Sequence, residues 1–328
     1  MRVTVTHEQW PLARPFRISY QTIDSIDVLV AEVDDGTSVG RGEGVPFDRF
    51  EGPIAHSLEM AHAAADAVRG GATRTDLLER VPASAGRNAL DCALWDLEAR
   101  RSGVAAWRLA GAPHFHPLPV TYTVGIDERD EMARQAAAAA QPVLKIKLNA
   151  HDPVGTIRAI RQAVPHKTLI ADANESWSVD LLKDVLPQLA ALGVEMVEQP
   201  LAAGTDAALD GYTPPIPLSA DESCCTLSDL PAVLGRYQMI NIKLDKTGGL
   251  THALQLAAAA RARGLALMVG NMVGTSLAMA PAMIVGQWCR YNDLDGPLLL
   301  SRDRVPALSF DGGRIHPPAG GVWGEGAP

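Results

Sequence analysis

Long apolar runs, lysine- or arginine-rich clusters and paired cysteines are all missing from this chain, and each absence narrows what it can be. No apolar stretch approaches the roughly 18 residues that a membrane span needs. The opening MRVTVTHEQW lacks the basic-then-apolar order of a signal peptide, so a cytoplasmic protein without a membrane partner is expected. A formal net charge of -9 with no basic run argues against a nucleic-acid surface. The four cysteines, Cys92, Cys224, Cys225 and Cys289, show no C-x-x-C spacing and read as reduced thiols. HFH at His114 to His116 sits in a Pro-flanked stretch and reads as a linker. What remains is an ordinary globular composition, 47% hydrophobic and 20% charged over 328 residues, with a small molecule as the expected partner.

Short β-branched or apolar runs recur along the chain, each closing on a polar residue or glycine and followed by an Ala/Leu-rich stretch. The closing positions are Thr123, Lys147, Asp172, Glu198, Asp221, Lys243, Gly270 and Asp293, spaced 22 to 27 residues apart. That interval holds one strand, one helix and two loops. Eight such units predict an α/β fold, a (β/α)8 TIM-type barrel over residues 116–304, with its chemistry at the carboxyl ends of the strands. A doubly wound open sheet is the runner-up, and it would not need eight equal units. Ahead of the barrel, residues 1–115 predict an α+β capping domain. RVTVTHEQW, IDVLVAEVDD and SVGRGEG form an antiparallel meander, with helices around Ile54 to Val68 and over GRNALDCALWDLEARRSG. The segment 305–328 is expected to pack back on the cap.

The strand VLKIKLNA raises a problem of charge. Lys145 and Lys147 are two residues apart, so they share a face and repel. In a barrel the solution lies on neighbouring strands, because the third, fourth and fifth end in Asp172, Glu198 and Asp221. Three carboxylates in one partly dry cleft call for a cation, and oxygen-only ligands select Mg2+ first and Mn2+ second. Lys147 and Lys243 then approach the metal from opposite sides. A lysine becomes a general base when nearby positive charge lowers its pKa, and Lys145 stands beside Lys147 for that purpose. Two bases flanking a metal-bound carboxylate suit one reaction: removal of an α-proton to an enediolate and its return to the other face, a racemisation or epimerisation.

LKIKL, IADANESW, VEQPL, ADES and NIKLDKTGGLTHAL, in this order and spacing, resemble the dipeptide epimerases of the muconate lactonizing enzyme subgroup of the enolase superfamily. The resemblance spans essentially the whole chain. It implies a dipeptide substrate, Mg2+ on Asp172, Glu198 and Asp221, acid/base roles for Lys147 and Lys243, and support of the substrate carboxylate by Lys145. It further implies that Asp293 and Asp295 of DLDG hold the substrate's α-ammonium, and that Thr123, Gly270, Asn271 and Met272 contact substrate. Where Ala-Glu enzymes of that family carry an arginine in the capping loop, this chain has Tyr20, near Phe47 and Phe50 in sequence. Arg17 or Arg49 could replace the arginine, or the preferred side chain is apolar or aromatic. The competing expectation is a cycloisomerase or an o-succinylbenzoate synthase-type lyase, whose substrates carry no ammonium. Barrel enzymes of this type often assemble as homo-oligomers, and the sequence carries no interface signal.

Overall fold

A computed structural model describes residues 1–47, 49 and 52–325. Phe50 therefore lies outside the described residues. The chain begins with a three-stranded antiparallel sheet, β1 (Arg2–Arg17), β2 (Thr22–Asp34) and β3 (Val39–Gly44). Asp34 and Asp35 accept the backbone N–H groups of Gly36, Thr37 and Ser38 and so shape the turn between β2 and β3. Helix Ala85–Ser102 lies on this sheet, and the contact explains the spelling of β3. A Cβ on Gly40, Gly42 or Gly44 would stand 2.2, 2.2 or 1.9 Å from the carbonyl oxygens of Ala93, Ala89 and Ala85. Three glycines on one strand face thus let a helix lie almost against the strand backbone, with small residues every four positions on the helix side.

After the short strand β4 (Leu118–Pro119), eight parallel strands follow in chain order: β5 (Thr121–Val124), β6 (Val143–Lys147), β7 (Thr168–Asp172), β8 (Val194–Glu198), β9 (Leu218–Ala220), β10 (Met239–Lys243), β11 (Ala266–Gly270) and β12 (Tyr291–Asn292). The two ends of the sheet are linked around the gap, Asn292 Nδ2 of β12 donating to Pro119 O of β4 at 3.4 Å and Thr123 N of β5 donating to Asp295 Oδ2, just past β12, at 2.7 Å. This is the TIM-type barrel that the spacing predicts. Its register matters for function: Lys147 is level with Asp172, and Asp172 with Glu198.

The units are less equal than the spacing suggests. After β8 there is only the 3-10 turn Asp206–Leu209, and the helix expected over LSDLPAVLGR shrinks to Leu227–Asp229 plus Leu230–Val233. There Leu234 turns extended and Gly235 takes φ +79°, a region that favours glycine, so the helix stops. The hairpin of β13 (Phe310–Asp311) and β14 (Arg314–Ile315) pairs with β4, and beyond it Trp323 Nε1 reaches Cys92 O at 3.1 Å. No helix among the described residues is long and apolar enough to cross a membrane.

Candidate active site

The strand ends gather a dense set of charges at one mouth of the barrel. Lys145 Nζ lies 3.0 Å from Asp172 Oδ2, 2.9 Å from Glu198 Oε2 and 2.9 Å from Asp293 Oδ2. Lys147 Nζ donates to Asp172 Oδ2 at 2.7 Å and to Asn174 Oδ1 at 3.0 Å. Lys243 Nζ donates to Asp221 Oδ2 at 2.6 Å. All of these side chains are buried, those of Asp172, Glu198 and Asp221 completely. The same-side lysines of β6 are explained: each is aimed at carboxylate.

The electrostatics follow from burial and these neighbours. Burial alone would raise Asp172, but Lys145 and then Lys147 bring it down to about 2. Burial, then the nearby Asp172, pushes Glu198 up to about 7 despite Lys145. Asp221 is held well below the carboxylate range because Lys243 and Lys246 outweigh its burial. Burial would lower Lys145 and Lys243, yet Asp172 keeps the first, and Asp221 the second, above the usual lysine range. The dominant neighbours of these lysines are therefore carboxylates rather than each other.

Whether this donor set suits a divalent cation can be tested on its atoms. Among the described residues, no three carboxylate, imidazole or thiolate groups converge closely enough to hold a metal as they stand. Yet Glu198 Oε2 and Asp221 Oδ1 are fully buried and lack an aligned hydrogen-bond donor. Three hard carboxylates on successive strand ends, two of them with a buried oxygen that no aligned donor completes, fit Mg2+ or Mn2+.

The remaining predicted residues divide into two groups. Thr123 closes the barrel onto the DLDG segment, its N–H on Asp295 and its Oγ1 3.1 Å from Asp293 Oδ1. Asn271 Nδ2 donates to Asp293 O at 2.5 Å, and a Cβ on Gly270 would fall 2.7 Å from Asn241 Oδ1. Burial and then Asp293 raise Asp295 to about 7. Met272 and Tyr20 belong to a hollow of about 60 Å3 that also takes in Phe16, Ile18, Phe47, Lys147 and Lys243. Neither Arg17 nor Arg49 lines it. Arg49 pairs with Glu175, and Arg17 Nε donates to Thr22 at 3.3 Å. A larger hollow of about 650 Å3 beside Arg74 and Glu98 on the cap gathers no comparable chemistry.

Several residues at the mouth escape a motif-by-motif reading. Asn174 receives Lys147, Asn241 Nδ2 holds Glu198 Oε1 at 2.8 Å, and Gln199 Oε1 accepts from Asp221 N at 2.9 Å. Glu222 lines the hollow with its carboxyl pushed up to about 8 by burial and then by Asp221. Lys246 sits beneath Asp221. Their signal was adjacency: each lies within the quoted motifs, one to three residues from a predicted group.

Comparison with known proteins places this geometry. Residues 1–111 match the mandelate racemase / muconate lactonizing enzyme N-terminal domain, and residues 128–322 match the enolase C-terminal domain-like family. The L-Ala-D/L-Glu epimerase of Escherichia coli (strain K12) is 44% identical over 96% of this chain and 99% of its own length. An enolase family member from Agrobacterium tumefaciens with homology to dipeptide epimerases, solved with sodium and L-Ala-L-Glu bound, superposes with a TM-score of 0.95. It shares 42% identity over 98% of this chain and 99% of that one. A dipeptide epimerase from Enterococcus faecalis, solved with Mg and L-Leu-L-Tyr, gives 0.89 at 26% identity over 99% and 98% of the two chains. With its capping sheet, its eight-stranded barrel and its row of carboxylates between lysines, the chain belongs to the mandelate racemase / muconate lactonizing enzyme family of the enolase superfamily.

Proposed function

We propose that this chain is a Mg2+-dependent dipeptide epimerase, an isomerase that inverts the α-carbon of the C-terminal residue. The observation that carries the reading is the placement of Lys147 and Lys243. They reach in from the second and sixth strands onto Asp172 and Asp221, the two outer members of the carboxylate row. Asp172, Glu198 and Asp221 are the residues that would hold Mg2+, or Mn2+ in its place. Bound there, the cation supplies positive charge that stabilises the negative charge appearing on the substrate carboxylate as its α-proton leaves.

The chain's own residues do the rest. One of Lys147 and Lys243 takes the α-proton on its Nζ, and the other delivers a proton to the opposite face, which inverts the centre. Lys145, beside Asp172 and Glu198, offers its ammonium to the substrate carboxylate. Asp293 and Asp295 of DLDG are the candidates to hold the substrate's α-ammonium, the first beside Lys145 and the second on Thr123 N. Asn271 fixes the DLDG backbone, while Gly270 leaves room for the Asn241 side chain that holds Glu198. Phe16, Ile18, Tyr20, Phe47 and Met272 form an apolar wall for the side chain of the inverted residue. In this reading residues 1–115 select the side chain, 116–304 perform the chemistry and 305–328 tie the two together. Four unpaired cysteines suit a cytoplasmic setting.

The test is a screen of pooled L,L-dipeptides with enzyme and Mg2+ in D2O, read by mass spectrometry. A single-deuteron mass gain in a subset is expected, and the subset names the side-chain preference. Gain with Ala-Glu would mean that Tyr20 admits an acidic side chain. A second reading, a cycloisomerase or o-succinylbenzoate synthase-type lyase, draws on one observation: Asp293 and Asp295 already have protein partners. No gain in any dipeptide, from enzyme that binds Mg2+, would favour it.

A further inference from the structure

Two lysines contact Asp221, and they are tied in opposite ways. Lys243 Nζ meets Oδ2 from the barrel side, 2.6 Å away, and that carboxylate is its hydrogen-bond partner there. Lys246, three residues on, lies in the one-turn helix Leu244–Thr247, and its side chain is 1% exposed. Its Nζ donates to the backbone carbonyl of Asp221, to Cys224 O at 3.2 Å and to Asn241 O at 3.1 Å. An ammonium group has three protons. All three are committed to carbonyls, on the end of β9, on the turn after it and on β10.

Asp221 Oδ1 nonetheless lies 2.6 Å from that nitrogen, and it is one of the buried oxygens without an aligned donor. Lys246 thus lends Oδ1 its charge at ion-pair distance without a well-aligned hydrogen bond. Remove that charge and Lys243 becomes the sole cation in contact with Asp221, which would hold it against Oδ2. A base held that way cannot swing to a substrate carbon.

We propose that Lys246 is a positioning residue for the reaction, a fixed cation that aims Asp221 and leaves Lys243 free to move a proton. The inference rests on the two-base reading above, and it requires that the effect be one-sided. Each lysine serves one face of the α-carbon, so losing Lys246 should cripple exchange at Lys243's face more than at Lys147's.

The test compares α-hydrogen exchange in D2O for the two stereoisomers of one dipeptide substrate. Lys243→Ala first identifies the isomer that depends on Lys243. Lys246→Met is then expected to slow exchange of that isomer at least tenfold more than exchange of the other. This ratio does not depend on the folded fraction of the sample. Calorimetric Mg2+ titration of the same variant is expected to show affinity reduced about 10–100-fold, the usual effect of losing a group that orients a ligand. Lys246→Arg, which keeps the positive charge, should recover part of both. Equal slowing of both isomers would overturn the proposal, as would unchanged Mg2+ affinity. Failure of both variants to fold would also overturn it, by making Lys246 a folding residue. No exchange of either isomer by the unaltered enzyme would instead refute the epimerase reading on which the proposal stands.

Discussion

The molecule buries charge in two places, and they are built to opposite rules. At the seam between cap and barrel, Arg87 donates to Val81 O, Thr247 O and Gly248 O at 2.7, 2.5 and 2.8 Å. Asp91 accepts from Thr251 N and Oγ1 at 2.9 and 2.6 Å, and Glu43 accepts from Thr275 and Arg304. At the barrel mouth, by contrast, Glu198, Asp221 and Glu222 each keep a buried oxygen without an aligned hydrogen-bond donor, though Lys145 and Lys246 lie within ion-pair distance of the first two. Among the described residues, every such orphan side-chain atom falls between Thr121 and Asn292, and none lies in the cap. Buried charge alone is thus a poor sign of function. Charge left incomplete is a better one, because an orphaned polar atom costs about 1–3 kcal/mol unless something else completes it.

The comparison breaks if the two regions respond alike to substitution. The largest difference is expected at the mouth: Lys147→Ala and Lys243→Ala should each lower epimerisation at least about 10³-fold, within the range for losing a general acid or base. Each should retain α-hydrogen exchange of a single, opposite stereoisomer in D2O, with melting temperatures near that of the unaltered protein. At the seam the order reverses. Arg87→Met leaves three carbonyls without their donor and should cost about 3 kcal/mol in denaturant unfolding, while substrate exchange by the folded fraction keeps both isomers. Near-native turnover in both lysine variants would end the two-base assignment.

Mg2+ sharpens the same contrast. A ligand present at a hundredfold excess over its Kd stabilises the folded state by about 2.7 kcal/mol. That gain should appear in thermal unfolding of the unaltered protein and persist in Arg87→Met, since the seam does not touch the cation. It should vanish in Glu198→Gln, which removes the charge of the central acid in the row. Equal stabilisation of all three would place Mg2+ somewhere other than the mouth.

How much of this was readable beforehand follows from the kind of signal each feature leaves. The barrel was legible because its unit repeats, and the charged cluster at its mouth because each strand closes at the same phase; Asp172, Glu198 and Asp221 fall at one mouth by arithmetic alone. Features that depend on one particular long-range contact left no period to detect. Gly40, Gly42 and Gly44 match Ala93, Ala89 and Ala85 only once the helix is laid on the strand. Lys246 looks like one more lysine in NIKLDK until three carbonyls converge on it.

The smallest expected effect separates the regions by pH. Asp91 is completely buried, and burial raises its carboxyl from 3.8 to about 6 against the pull of its Thr251 hydrogen bonds. The folded state therefore holds this proton where the unfolded chain has lost it, so stability falls as pH rises from about 4 to about 6 and is flat beyond. Asp91→Asn cannot lose a proton. It should match the unaltered protein below pH 4 and exceed it by about 3 kcal/mol at pH 7, with the gap opening across that window. Glu222, raised from 4.5 to about 8, has the same sign over a higher window. The two should respond differently to Mg2+: the cation neutralises the Asp221 charge that helps raise Glu222, so the upper window narrows, while the Asp91 window at the seam stays where it is. A stability profile in which Mg2+ moved both windows, or in which Asp91→Asn ran parallel to the unaltered protein at every pH, would show that seam and mouth are one electrostatic unit rather than two.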